Sequence, residues 1–324
     1  MVSIIVPIYN VQDFIARCAR SLLSQTFRDI EYIFVDDASP DSSVQILMNT
    51  LEEFPERKSQ VRILHHEVNK GLPAARNTGL IKARGDYVYH CDSDDFLENN
   101  MIELMYMAAV QSEADFVWCD WYLSYNKQER YMSQSSIEEV RLVLKSMLIG
   151  TLKYNVWNKL VKRSIYLENQ IVFPEGHSMG EDMTMLRLLS CSRSVAYVNK
   201  PLYHYVRSNI DAMTQHYSQK HLDDIRFNAW QTIDFLTVKR VVTNEELSYF
   251  KLNIKHPLLI SDSWSSYKLW TSWYPEATKY IFKNKTLPLR TRCIQFLASK
   301  KLYVFVWIYY KLVYRVLYPL IYSN

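Results

Sequence analysis

The sequence predicts an α/β fold: a mostly parallel central sheet flanked by helices, followed by a mainly helical C-terminal region. Three observations carry this. Short β-prone runs alternate with helix-length amphipathic stretches over the first hundred residues. The polar residues that close those runs collect at their C-terminal ends. After about residue 216 the pattern turns predominantly helical and aromatic.

Residues 3–8 (SIIVPI), 30–35 (IEYIFV), 61–64 (VRIL) and 86–90 (DYVYH) are the expected strands. The spacing predicts a first helix over Val11 to Gln25, with Phe14, Ala16, Cys18, Leu22 and Leu23 toward one face, and another over Pro73 to Ala83 with Gly85 just past its end. Strands joined by helical crossovers run parallel. Beyond residue 100 the alternation loosens into a helix near 99–111, a strand near 115–121, a helix near 136–149 and a loop-rich stretch to about 214. No repeat or low-complexity segment is present, and a boundary near 220 divides a domain over 1–220 from a helical, aromatic and basic region over 221–324.

The chain has 324 residues, 48% hydrophobic and 22% charged, as an ordinary globular protein would. Its aromatic share of 14%, with 24 Tyr and 8 Trp, is high. The five cysteines are isolated and show no CxxC or finger spacing, so neither a disulfide framework nor a zinc site is expected, and a reducing compartment fits. The first residues, MVSIIVPIYN, carry no basic leader and read as a strand. Net charge is +4, but residues 239–324 hold 14 Lys and Arg against 4 Asp and Glu, so this end prefers an anionic partner. Nothing points to nucleic acid.

In such sheets ligands sit beyond the carboxyl ends of the strands. There the sequence places Tyr9 and Asn10, Asp36 and Asp37, and the cluster Asp92, Asp94 and Asp95 in YVYHCDSDDFLENN. Crowded carboxylates raise one another's pKa unless a cation or hydrogen bonds offset the repulsion. A solvated loop with Asp95 capping the next helix is the plain reading. The position directly after a buried strand favours a second one, an aspartate pair gripping Mg²⁺ or Mn²⁺. VDDASPD (35–41) is by itself an ordinary turn, or a strand end whose Asp37 accepts from a base or ribose. No GxGxxG or GxxxxGK loop is present to hold phosphate. Arg76, in the middle of the helix within NKGLPAARNTGL, is either an exposed surface arginine or a fork aimed at phosphate or base. Glu181 and Asp182 begin a helix, where the dipole favours negative charge in any case. PLYHYVRSN (201–209) has the pattern of a strand, with His204 as a metal ligand and Arg207 on phosphate as candidates, although a lone histidine is more often structural.

Taken together, SIIVPIYN, VDDASPD, NKGLPAARNTG, GDYVYHCDSDD and GED, in this order, resemble the family 2 glycosyltransferases. The match covers roughly residues 2–120, with a second block over 155–190 that looks like the bacterial polysaccharide and capsule members. The resemblance implies the GT-A nucleotide-sugar fold. It places Pro7, Tyr9, Asp37, Arg76, Asp92 and Ser93 at a UDP-sugar, Asp94 with Asp92 on the divalent cation, and Asp182 as catalytic base. Glu181, Lys159 and Arg207 complete the candidates. It further implies single-step, inverting transfer of one sugar to a hydroxyl of a glycan or lipid-linked oligosaccharide, at the cytoplasmic face of the membrane. The QxxRW element and the membrane spans of the processive synthases are not found in the sequence. A binding protein without catalysis is opposed by the complete Asp92, Asp94 and Asp182 set. A sugar-phosphate nucleotidyltransferase would carry a Gly-rich basic loop after the first strand.

KKLYVFVWIYYKLVYRVLYPLIY (300–322) is apolar, yet Lys311 and Arg315 would lie at the middle of a span, where charge is costly. A helix in the headgroup plane, or a helix covering the domain with snorkelling cations, are the two readings, and the first also suits a lipid-linked acceptor.

Overall fold

The computed structural model describes residues 1–207 and 218–317. Its strands are β1 (Val2–Ile8), β2 (Ile30–Asp36), β3 (Val61–His65), β4 (Tyr87–His90), β5 (Phe96–Leu97), β6 (Phe116–Ser124), β7 (Glu129–Met132), β8 (Lys159–Lys162) and β9 (Val195–Val206). The helices are α1 (Ile15–Leu23), α2 (Ser43–Leu51), α3 (Leu72–Lys82), α4 (Met101–Gln111), α5 (Val140–Ile149), α6 (Arg163–Glu168), α7 (Glu181–Leu189), α8 (Gln219–Val238), α9 (Asn244–Lys255), α10 (Trp264–Ser272), α11 (Leu289–Ser299) and α12 (Tyr303–Tyr310).

One sheet runs in the order β3-β2-β1-β4-β8-β6-β9-β5, with β7 added on β6. Its first four strands pair parallel, as the βαβ alternation predicts. Past β4 the sheet becomes mixed: β8 is antiparallel to β4 and β6, β9 is parallel to β6, and β5 and β7 are antiparallel edges. β1 is buried along its whole length, which explains its unbroken apolar run.

α1 begins four residues later than its sequence pattern suggests and buries Ile15, Cys18, Ala19, Leu22 and Leu23. Phe14 and Ala16 stay half exposed, because the buried stripe is centred one position away from the expected one. β9 begins in the stretch that reads as loop-rich and runs on into PLYHYVRSN, the segment with a strand pattern. Its central Asn199, Lys200 and Pro201 break the β pattern and coincide with a bulge opposite Cys119 and Asp120.

The chain forms two compact units, Met1–Leu144 with Lys153–Phe235, and Lys145–Leu152 with Leu236–Asn324. The first contains the whole sheet. In the second, α9 is closed at its start by a reciprocal capping box between Thr243 and Glu246. Tyr303, Val306 and Tyr310 of α12 are buried, and a π-helical turn over Lys311–Leu317 follows.

Candidate active site

The parallel register aligns Ile8 with Asp36 and Ile5 with His90, so β1, β2 and β4 end along one edge. Tyr9 is exposed there, just beyond the buried Pro7. Asn10, in the left-handed region at φ 54°, turns the chain. The turn is tied to the next one by Asn10 N–H to Ser39 Oγ (2.8 Å) and Gln12 N–H to Asp41 Oδ2 (2.9 Å). The Asp37 carboxylate is turned inward. It accepts from the backbone N–H groups of Lys70 (2.8 Å) and Gly71 (2.7 Å), and Oδ1 lies 2.6 Å from His66 Nδ1. The buried Asp37 therefore holds the entry to α3, a role no local pattern signals.

α3 packs against β1 and β2. Gly79 permits the close approach, since a Cβ there would come within 2.4 Å of Ile5 Cγ2. One turn earlier the same helix delivers Arg76 beneath the acidic cluster, 1% exposed, with Nη2 2.5 Å from Asp92 Oδ1. Arg76 Nε and Nη1 have no hydrogen-bond partner. The plain reading, an exposed surface arginine, does not hold.

The three carboxylates after β4 have separate fates. Asp92 is partly exposed and paired with Arg76, which supplies part of the positive charge that the crowding demands. Asp95 is 1% exposed and turned into the protein, where it accepts from Tyr203 Oη (2.6 Å) and the Val206 N–H (2.6 Å) of β9. It does not cap α4, which starts at Met101 with Asn100 at the cap position. Burial first, then the charges of Asp94 and Asp92, push the Asp95 pKa well above the carboxylate range. Ser93 is buried between Asp92 and Asp94, and Asp94 is half exposed. This excess of negative charge on hard oxygen donors fits a divalent cation at Asp92 and Asp94. Among the described residues no group of three or more His, Cys, Asp or Glu is arranged to hold a metal.

α7 opens with Glu181 and Asp182. Glu181 is 7% exposed, its Oε1 has no partner, and burial pushes its pKa to about 7 against the pull of Arg76. Asp182 accepts the Val156 N–H (2.9 Å). Its pKa rises to about 6, by burial and then by the charge of Asp92, while Lys159 and Arg76 draw it down. Lys159 is itself buried, donates to Asn158 Oδ1 (2.5 Å), and is lowered to about 7 by burial. Arg76, Asp92, Glu181, Asp182 and Lys159, spread over more than a hundred residues of sequence, thus share one electrostatic cluster.

His204 lies between two glutamates. Its Nε2 is 2.9 Å from Glu98 and its Nδ1 2.7 Å from Glu129, and the ring is stacked on Phe96 at 4.1 Å. Both ring nitrogens thus face carboxylates. Arg207 is exposed and lies over the Tyr205 ring; residues 208 and 209 of its motif fall outside the described residues. Tyr203 is the residue that pattern reading missed. It holds Asp95 from 108 positions away and also receives the Asp92 N–H (3.4 Å).

The model of the family described as "Glycosyl transferase family 2" matches residues 3–179, just over half of the chain. The chain belongs to glycosyl transferase family 2. Among relatives of this family 2 member, glycosyltransferase EpsJ of Bacillus subtilis is 34% identical over 224 residues, covering 66% of this chain and 63% of EpsJ. Glycosyltransferase GlyG of Streptococcus pneumoniae is 29% identical over 238 residues, covering 69% of this chain and 77% of GlyG. The matched region thus spans less than two thirds of EpsJ. The crystal structure of residues 1–349 of S. aureus TarS in complex with UDP-GlcNAc superposes with a TM-score of 0.70 at 20% identity, covering 96% of this chain and 91% of that one. The likeness shows a shared fold over nearly the whole chain.

Proposed function

We propose that this family 2 chain transfers a single sugar, with inversion, from a UDP-sugar to a hydroxyl of a lipid-linked glycan acceptor in surface polysaccharide synthesis. The observation that carries this is Arg76: a buried guanidinium bonded to Asp92, with two donors unpartnered, inside the acidic cluster of Glu181 and Asp182. A cation is retained in such a place when it positions a carboxylate and meets further negative charge.

Pro7 and Tyr9 would line the uridine, with Asp37 shaping the turn behind them and Ser93 lying between the two donor-side carboxylates. Asp92 and Asp94 would hold Mg²⁺ or Mn²⁺. When bound, the cation neutralises charge on the leaving diphosphate. Asp182, with its pKa near 6, is ionised at neutral pH and yet basic enough to take the acceptor proton as the glycosidic bond forms. Glu181, near 7, keeps a proton part of the time and so limits the charge beside it. Lys159, with its ammonium close to neutrality, draws the Asp182 pKa down, as does Arg76.

TarS is solved with UDP-GlcNAc and with UDP, which supports a uridine donor. PcManGT of Pyrobaculum calidifontis, solved with GDP-Man and Mn²⁺, supports the cation and makes the base the point to test. For location, no helix among the described residues is long and apolar enough to cross a membrane. Val304, Phe305, Ile308 and Leu312 are exposed on and after α12, with Lys311 and Arg315 beside them. That face suits the headgroup plane of an anionic cytoplasmic leaflet.

The deciding experiment is a hydrolysis screen over UDP-, GDP- and CMP-sugars with Mn²⁺ or Mg²⁺, comparing wild type with Asp94→Ala. Turnover of a UDP-sugar that is lost in the variant supports the assignment. Turnover of a GDP- or CMP-sugar alone overturns the donor.

A further inference from the structure

The segment that delivers Glu181 and Asp182 has a backbone that is costly to hold. Gly176 takes φ 78° without penalty, but Met179, which is not glycine, is held at φ 62°. Such conformations persist only where the surroundings over-determine them. At its start the segment is gripped by α3: Asn77 Nδ2 donates to Phe173 O (3.0 Å) and Glu175 Oε1 (2.8 Å), and Asn77 Oδ1 accepts the Phe173 N–H (2.9 Å). At its end it is gripped by α8. Asp224, 4% exposed, accepts the Ser178 N–H (3.0 Å) and Ser178 Oγ–H (2.9 Å) on Oδ2 and meets His177 Nδ1 (3.0 Å) on Oδ1. The His177 ring lies over Phe227 at 3.8 Å, and Asn228 Nδ2 donates to Ser178 O (2.8 Å). Gly180, the residue before Glu181, has no room for a Cβ, which would come within 2.4 Å of the Asn228 side chain.

We propose that Asp224 is a positioning residue for the reaction: it locks the 176–180 turn against α8 and thereby fixes where Asp182 stands. The inference rests on the reading of Asp182 as base. One carboxylate satisfies three donors of two consecutive residues, so its removal frees the turn at the point where the left-handed Met179 must be held. Burial alone would raise the Asp224 pKa, but its bonds from His177 and Ser178 hold it below the ordinary value, so it stays a pure acceptor at neutral pH. A base shifted by about 1 Å loses on the order of 100-fold in rate with no loss of donor contacts.

The test uses the full chain, hydrolysis of UDP-glucose and UDP-N-acetylglucosamine with Mn²⁺ as the rate, calorimetry with UDP as the binding readout, and hydrogen exchange of residues 177–180. For Asp224→Ala the expected result is a kcat lower by roughly 10- to 100-fold, unchanged UDP affinity and faster exchange of the turn. Asp224→Asn, which keeps one acceptor oxygen, recovers part of the rate. On an Asp182→Asn background, Asp224→Ala lowers the residual rate no further, because the two act as one unit. A wild-type kcat in Asp224→Ala overturns the proposal, as does an equal loss on both backgrounds. Full hydrolysis by Asp182→Asn alone defeats the base assignment instead; the exchange data then decide the lock, and unchanged exchange overturns it. Should Asp224→Ala not fold, Gly180→Ala, which drives a Cβ into Asn228, is read in the same way.

Discussion

Arg76 reaches Asp92 across 2.5 Å from a position 1% exposed, which makes this pair the interior anchor of the site rather than a surface ion pair. Removing one partner of such a pair strands a buried charge or an unmet carboxylate, at a cost of about 3–5 kcal/mol. Arg76→Lys keeps the charge and loses the fork. Arg76→Met is expected to lower stability by about 3 kcal/mol in urea unfolding. Arg76→Lys is expected to fold and to lose at least about 10-fold in kcat/KM for the sugar donor, one charge-assisted bond's worth. A fully active Arg76→Lys would show that the fork is not used.

Asp182→Asn removes the proposed base and leaves the Val156 N–H an acceptor oxygen, so the fold should hold. The expected loss in kcat is about 10²–10⁴-fold, with UDP affinity unchanged in calorimetry. With Asp182 as the proposed base, kcat/KM of the wild type should rise with pH through about 6.

Glu181 makes a separate prediction about stability. Its pKa is raised in the fold, from 4.5 to about 7, so the folded chain holds a proton that the unfolded chain has released. That contribution is complete below pH 4.5 and is lost as pH rises through about 7. The shift corresponds to about 3 kcal/mol. Wild type should therefore lose stability between pH 5 and 8, and Glu181→Gln should lose less. Urea unfolding at several pH values gives both slopes, and parallel slopes would refute the effect.

The cation is expected to bind through Asp94 and not through His204. Chelation should abolish donor hydrolysis, Mn²⁺ or Mg²⁺ should restore it in wild type, and Asp94→Asn should bind UDP without the cation's enhancement. His204→Ala should retain the full metal response, because both imidazole nitrogens already face carboxylates. Its penalty should appear in melting temperature, from the loss of those bonds and of the Phe96 stack.

Membrane contact should depend on the outer face of α12 and the turn after it. Phe305→Glu with Leu312→Glu alters two residues that are each 56% exposed, so the fold should persist while co-sedimentation with phosphatidylserine vesicles falls. Replacing Lys311 and Arg315 by Gln should weaken binding by less than the roughly 2 kcal/mol that two free cations near the surface would contribute. These two also lie 3.7 and 3.8 Å from Asp262, so part of their charge is already answered within the protein. Equal sedimentation of all forms would show that this face does not meet lipid. Residues 318–322 of the apolar run lie outside the described residues.

Local sequence was enough for the first half of the sheet. Alternation of apolar runs and amphipathic stretches determines β1 to β4 and their parallel order, because a crossover helix forces parallel pairing. It also determined that Tyr9, Asp36, Asp37 and Asp92 share one edge, and the motif set pointed to family 2. The tertiary structure alone decided what each acid does there. Asp37 faces backbone amides, Asp95 faces β9, and His204 lies between two glutamates, all through partners brought close by folding rather than by sequence spacing. The grip of Asp224 on Ser178, 46 positions away, has no local signature for the same reason. Periodicity reports which face of an element is apolar. It carries no record of which distant donor will meet a carboxylate, and in a buried cluster that meeting sets the charge, the pKa and the role.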